Sequence, residues 1–302
     1  MTRHAFLCIS FALLAAPAFG AQKSQADLGS SGALLSSCGG LATGGFPVEG
    51  GLFDYVAGKF SCDAFTTALP GQLLVAAGGW NQAAPVVQTD AHGSAQFGQV
   101  GVYAHFRANA SAGFAAAETT AGWTDTWTLN PVNPALIGQD VVLSFSLHLD
   151  GMLDGVPSGN SYTRIGVQVW KDDGSVPGQS FRVQGQGQGG FPFHQDIDQD
   201  LNFSVTVKLG TPFELGVFTR ASAGTAGAGP NWMSEATSDF ASTMTWGGVQ
   251  SLTLAGNPVA FTLSSQSGID WTQPFAPVPE PGVAALMLLG LGLLLPRRAS
   301  QN

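Results

Sequence analysis

From about residue 140 onward the chain is built of short runs in which apolar and polar residues alternate. In 141–149, Leu143, Phe145, Leu147 and Leu149 share one side, and Val142, Ser144, Ser146 and His148 share the other. In 164–170, Ile165, Val167 and Val169 fall together. In 201–209, Leu201, Phe203, Val205, Val207 and Leu209 alternate with Asn202, Ser204, Thr206 and Lys208. Phe213, Leu215 and Val217 continue the pattern after a Gly-Thr-Pro turn, and Val259, Phe261 and Leu263 repeat it near the end. Successive side chains of a strand point to opposite faces, so a period of two predicts strands with one face buried. Shorter candidates lie at 72–77 and 99–106, and in 123–129 large residues alternate with Thr124, Thr126 and Thr128. Asp154-Gly155, Asp172-Asp173-Gly174 and Gly256-Asn257-Pro258 punctuate the runs as turns. Only 108–118 carries helical character over a useful length. Many strands with one apolar face each predict an all-β fold, an antiparallel β-sandwich of jelly-roll or lectin-like architecture.

The amino-terminal part, 21–68, lacks a sustained period. Gly39-Gly40, Gly44-Gly45 and Gly50-Gly51 read as loop there. The run Gly185-Gln186-Gly187-Gln188-Gly189-Gly190 reads as a flexible loop. It lacks the GxGxxG register of a phosphate cradle, and no helix pattern follows it.

Both ends of the chain depart from the alternating pattern. Residues 1–20 place Arg3 before an apolar stretch from Ala5 to Ala16 and end on Ala18-Phe19-Gly20. That is the form of a secretory signal peptide, with cleavage expected after Gly20. At the other end, Pro277, Pro279 and Pro281 favour an extended chain. Val283 to Leu295 carries no charge, and Arg297 and Arg298 follow it. Positive charge tends to stay on the cytoplasmic side, which leaves everything before Pro277 outside. Counted from Gly282 to Pro296 the span is 15 residues. As a helix it reaches about 22 Å, against a hydrocarbon core of about 30 Å, so it is short for a permanent anchor.

The order of parts in this tail is specific. Val278-Pro279-Glu280-Pro281, a short Leu/Gly-rich span and a basic end resemble the PEP-CTERM sorting signal of Gram-negative bacteria. The resemblance implies a membrane-embedded exosortase as partner, recognition near Pro-Glu-Pro, transient residence in the inner membrane, and retention by the basic end. This chain has two arginines where many members have three or more, and Pro296 interrupts the span just before them. The alternative is a plain single-pass anchor. A second stretch is similar to the closing strands of many ectodomains of that family. It runs from Ser238-Asp239-Phe240 to Trp246, then through Ser267-Gly268-Ile269-Asp270-Trp271. Thr124-Asp125-Thr126-Trp127 resembles a strand found upstream in the same proteins. The family has no general assigned activity, so the resemblance implies no catalytic residue. The chain thus divides into a signal peptide (1–20), an ectodomain (21–276, loop-rich over 21–68) and a sorting signal (277–302).

Composition narrows the function. Residues 21–276 hold eight Lys/Arg against nineteen Asp/Glu, a net charge of −11. A chain this acidic does not bind nucleic acid by neutralising phosphates. Cys8 leaves with the signal peptide, and Cys38 and Cys62 remain as an even pair in an oxidising compartment, where a disulfide is the default. No CxxC spacing, GxSxG, HExxH or Ser/His/Asp spacing is present. His92, His105, His148 and His194 are scattered.

Two constellations stay open in two directions. Asp196, Asp198 and Asp200, with Asn202, offer oxygen at every second residue, which suits Ca²⁺. The same parity makes them the solvent side of a strand entry that needs no metal, and an EF-hand register is missing. The seven tryptophans could stack on sugars or fill a core. The expectation is an exported surface or extracellular-matrix protein, not an enzyme, with no obligate cofactor. Its role would be structural or adhesive in the envelope or biofilm. The alternative is a carbohydrate-binding or carbohydrate-modifying module with exopolysaccharide as ligand.

Overall fold

The computed structural model describes residues 32–42, 58–66, 74–83, 86–109, 114–156, 161–172, 180–186, 192–225 and 233–275. The signal peptide, the tail from Ala276 and the motif Val278–Pro281 with Arg297 and Arg298 lie outside the described residues. Nearly everything described is strand, and every strand pairing is antiparallel. Numbered in chain order, one sheet contains β1 (Gly32–Ala42), β2 (Gly58–Thr66), β6 (Phe114–Pro131), β8 (Ser161–Lys171), β9 (Ser180–Gln186), β11 (Phe213–Thr225) and β14 (Phe261–Ser265). Its order is β2-β1-β6-β11-β8-β9, with β14 on the carboxyl half of β6. The second contains β3 (Leu74–Ala83), β4 (Val86–Gln96), β5 (Gln99–Asn109), β7 (Asp140–Gly155), β10 (Phe193–Lys208), β12 (Met233–Leu254) and β13 (Asn257–Pro258). Its order is β10-β7-β12-β5-β4-β3, with β13 on β12.

The alternation places the core. Leu143, Phe145, Leu147 and Leu149 of β7 are fully buried, as are Ile165 and Val167 of β8 and Leu215 and Val217 of β11. They belong to one apolar cluster drawn from both sheets. Burying an aliphatic or aromatic side chain of this size stabilises by roughly 1.5–3 kcal/mol. Polar bridges join the sheets beside this cluster. Thr163 Oγ1 donates to the Thr237 carbonyl at 2.8 Å, and Ser238 Oγ donates to the Arg164 carbonyl at 2.9 Å. Thr119 Oγ1 donates to the Tyr103 carbonyl at 2.7 Å.

Three expectations change. The helical character of 108–118 is not borne by its described residues: 108–109 end β5 and 114–118 begin β6. The small alanines there pack into a sheet, because tertiary contact outweighs helix propensity. The loop expected around Gly39-Gly40 is the middle of β1, held between β2 and β6. Gly185 and Gln186, expected in a flexible loop, close β9 instead. A Cβ on Gly185 would lie 2.0 Å from the Phe193 ring, so the missing side chain makes room for that ring. Among the described residues no helix is long and apolar enough to cross a membrane.

Candidate functional site

A densely connected polar group lies where 123–127 of β6 meets 267–271. Alternation along β6 puts Asp125 on the same side as Trp123 and Trp127, and all three are fully buried. A lone carboxylate there must be satisfied by donors. Asp125 Oδ1 accepts from the backbone N–H of Thr126 at 2.9 Å and of Ser267 at 3.1 Å. Asp125 Oδ2 accepts from Trp271 Nε1 at 2.8 Å and from the Ser267 hydroxyl. Three of these four donors come from the segment after β14, more than 140 residues downstream.

That segment, 266–275, straps the two sheets together. Gln266 N donates to the Thr126 carbonyl of β6, and Phe275 N donates to the Trp246 carbonyl of β12, both at 2.9 Å. Trp246 Nε1 donates to the Trp271 carbonyl at 2.8 Å. Trp271 stacks on Trp123 with centroids 4.3 Å apart, and meets Trp127 and Trp246 at 5.5 Å each. Such pairs contribute about 0.5–1.5 kcal/mol each beyond the area they bury. Phe275 closes the strap over Gly98, where a Cβ would lie 2.8 Å from the ring and where φ is +75°. Glycine is needed there on both counts. This arrangement holds structure together; it leaves no open acid, base or nucleophile.

A second, half-buried acid lies on the outward face of the β6 sheet. Glu214 of β11 is pushed up to about 7, first by burial and then by the Asp172 carboxylate; the neighbouring Thr124 hydroxyl works the other way. Glu214 Oε1 is buried without a hydrogen-bond partner. Thr124 Oγ1, close by, also lies outside hydrogen-bonding geometry. Asp172 is fixed by its own contacts: its Oδ1 accepts from Glu214 N at 2.9 Å, and Lys171 Nζ stands 2.8 Å from its Oδ2. On the same face Trp170 and Phe218 stack at 6.1 Å, each buried. Trp170 lies over Gly216, where a Cβ would be 2.2 Å from its ring.

The acidic stripe is elsewhere. Asp196, Asp198 and Asp200 are exposed on β10, the edge strand beside β7, while Ile197 and Leu201 between and beyond them are buried. Register sets Asp198 opposite Asp150 and Asp200 opposite His148. His148 Nδ1 lies 3.0 Å from Asp200 Oδ1 and its Nε2 3.6 Å from Asp198 Oδ1; His194 Nε2 lies 3.3 Å from Asp196 Oδ1. The carboxylates therefore spread along the strand, with His148 between Asp198 and Asp200 and His194 beside Asp196. Among the described residues no group of three or more His, Cys, Asp or Glu converges on a metal position. Of the cysteines the structure gives the register: Cys38 stands directly opposite Cys62 across β1 and β2.

Sequence reasoning missed Asp125 and Glu214. Parity was a usable signal for the first, since a charge on the tryptophan side of a strand needs a buried partner. Glu214 also sits at an alternating position, and only its burial beside Asp172 makes it unusual. No protein-family model matches the chain, and neither a curated protein nor a solved structure matches it.

Proposed function

We propose that this is an exported protein of the cell surface or extracellular matrix, sorted by an exosortase through Val278–Pro281 and the tail that follows. Its role is non-catalytic, structural or adhesive, in the envelope or biofilm. The reading includes a lectin-like, jelly-roll arrangement of the two sheets and a bridge between Cys38 and Cys62. The observation that supports it best is how the aromatic residues are used. Trp123, Trp127, Trp170, Trp246 and Trp271 are all buried, at 4% exposure or less. None offers an open ring to a sugar: Trp123, Trp127, Trp246 and Trp271 pack between the sheets, and Trp170 packs on Phe218; Trp80 and Trp232 lie outside the described side chains. Asp125 is likewise spent on hydrogen bonds, and Asp196, Asp198 and Asp200 are spread in solvent. A glycan array with the 21–276 fragment should show no specific binding, and a reproducible hit would move the carbohydrate-binding reading to the front. The sorting half is tested by intact mass of protein from the native host. The tail beyond roughly Glu280 should be missing, and recovery of a chain that still carries Arg297 and Arg298 would sink it.

A further inference from the structure

The two sheets turn faces of opposite charge to the outside. In one, the neighbouring strands β11, β8 and β9 carry four bases, Arg164, Lys171, Arg182 and Arg220, and a single acid, Glu214. Three of the four arginines between residues 21 and 276 are thus gathered there. In the other, the neighbouring strands β12, β7 and β10 carry one base, Lys208, whose Nζ stands 2.8 Å from Asp140 Oδ1 at the far end. Their outward positions hold acids instead, among them Asp150, Asp154, Asp196, Asp198, Asp200 and Asp239.

The charges on the two faces match in pattern. Arg220 and Arg182 stand in register on either side of Gly166, which adds no side chain between them. Arg164 lies two residues along β8 from that glycine, and Arg164 and Arg182 both donate to the Gln184 amide oxygen, at 3.4 and 3.3 Å. Arg220 is paired with Glu118 of β6. On the other face Asp239 and Asp196 stand in register on either side of Met152, and Asp154 lies two residues along β7. Neighbouring strands are about 4.8 Å apart, and same-side residues of one strand roughly 6.5–7 Å. Each set is therefore a triangle with a long side of about 10 Å and an apex about 7 Å from it. The two triangles lie back to back. β11 packs over β12, β8 over β12 and β7, and β9 over β7 and β10. Ser238 Oγ, next to Asp239 in the chain, donates to the Arg164 carbonyl at 2.9 Å. A copy displaced along the normal to the sheets thus brings its acid triangle over the arginine triangle of the next.

We propose that the chain assembles with further copies of itself, the outward face of β12, β7 and β10 in one seated on the outward face of β11, β8 and β9 in the next. Such a contact is heterologous: each copy keeps one face open, so the assembly grows as a filament instead of closing. Guanidinium and carboxylate groups pair through two parallel hydrogen bonds. One exposed ion pair adds little, so the contact needs several at once. The net charge of −9 opposes association only over the screening length, about 10 Å at 0.1 M salt, which leaves the facing charges to decide. Charges on the edge strand β10 discourage strand-to-strand pairing. Face-to-face stacking is a different contact, and the same charges favour it. The assembly does not depend on how the chain is sorted.

The test is sedimentation velocity of the full chain in a non-ionic detergent. At about 0.1 M salt the native chain should form species that grow with concentration. At about 1 M salt, where the screening length is near 3 Å, it should return to the monomer. Arg164→Gln with Arg182→Gln removes one face, and Asp154→Asn with Asp196→Asn removes the other. None of the four side chains is buried, so near-ultraviolet circular dichroism should be unchanged. Each double variant alone should associate at least roughly tenfold more weakly. Mixed, each supplies the face that the other lacks, and the mixture should form a one-to-one dimer that grows no further. A native chain that stays monomeric, association that survives in either double variant, or a mixture that stays monomeric overturns the proposal.

Discussion

Asp125 and Asp198 both stand inside long antiparallel strands, and they are opposite cases. Asp125 is fully buried among tryptophans and accepts four hydrogen bonds, three of them from a distant strap. Asp198 is exposed on an edge strand, faced by Asp150 in register and flanked by His148. The difference is one of face and position in the sheet, not of residue type. A carboxylate on the inner face is tolerated only where donors converge, and it then makes the fold depend on them. One on the outer face of an edge strand stays solvated, and its charge discourages pairing with another chain.

The largest effect expected from this contrast is at Asp125. Asp125→Ala leaves the Trp271 indole N–H and the Ser267 amide without acceptors in the core, and should cost about 3–5 kcal/mol. Urea unfolding of the 21–276 fragment measures it. A loss below about 1 kcal/mol would mean that the strap docks by its aromatic rings alone.

A covalent pair extends the comparison. If Cys38 and Cys62, opposed in register, are bridged, the closed loop of about 25 residues stabilises by roughly 3 kcal/mol on the chain-entropy account. Thiol titration of the unfolded, unreduced fragment should find no free thiol. Two free thiols would contradict the bridge.

Glu214 lies between the two extremes, half-buried and without a partner for Oε1. Its value is raised from 4.5 to about 7 in the folded state, so the fold holds the proton more tightly than the unfolded chain does. The resulting stability is fully present below the unfolded value and is lost as pH rises through the folded one. Glu214→Gln should therefore flatten the decline of stability between pH 4.5 and 8. The relative gain at pH 8 is about 1–2 kcal/mol, reduced from the full linkage value by solvent around a partly exposed group. Denaturant curves at the two pH values test this, and a mutational difference that ignores pH would refute it.

The smallest effect is expected on β10. Asp198→Ala should change stability by less than about 0.5 kcal/mol, because exposed ion pairs contribute little. Millimolar Ca²⁺ should leave the melting temperature unchanged in both proteins. A rise of several degrees with Ca²⁺ but not Mg²⁺, lost in Asp198→Ala, would show that the stripe holds a cation after all. Calcium at 100 times its dissociation constant would add about 2.7 kcal/mol.

The strands with a buried face could be read in the sequence. Leu143 to Leu149, Leu201 to Leu209 and Phe213 to Val217 are inside because period-two patterning leaves them no other stable face. The all-β class followed from the same runs, and the exposure of Asp196, Asp198 and Asp200 followed from their parity. Other features depended on contacts between residues far apart in the chain. Gly39 and Gly40 have no side-chain pattern to show, and they become strand because β2 and β6 supply their partners. Residues 108–109 and 114–118, read as helical, belong to two strands, β5 and β6. Asp125 finds three of its donors across more than 140 residues, and Glu214 acquires its raised value from burial first and then from Asp172, 42 residues away. Alternation is a local property that the backbone imposes on any strand. Which strands become neighbours, and so which charges are satisfied, is decided only when the two sheets close on one core.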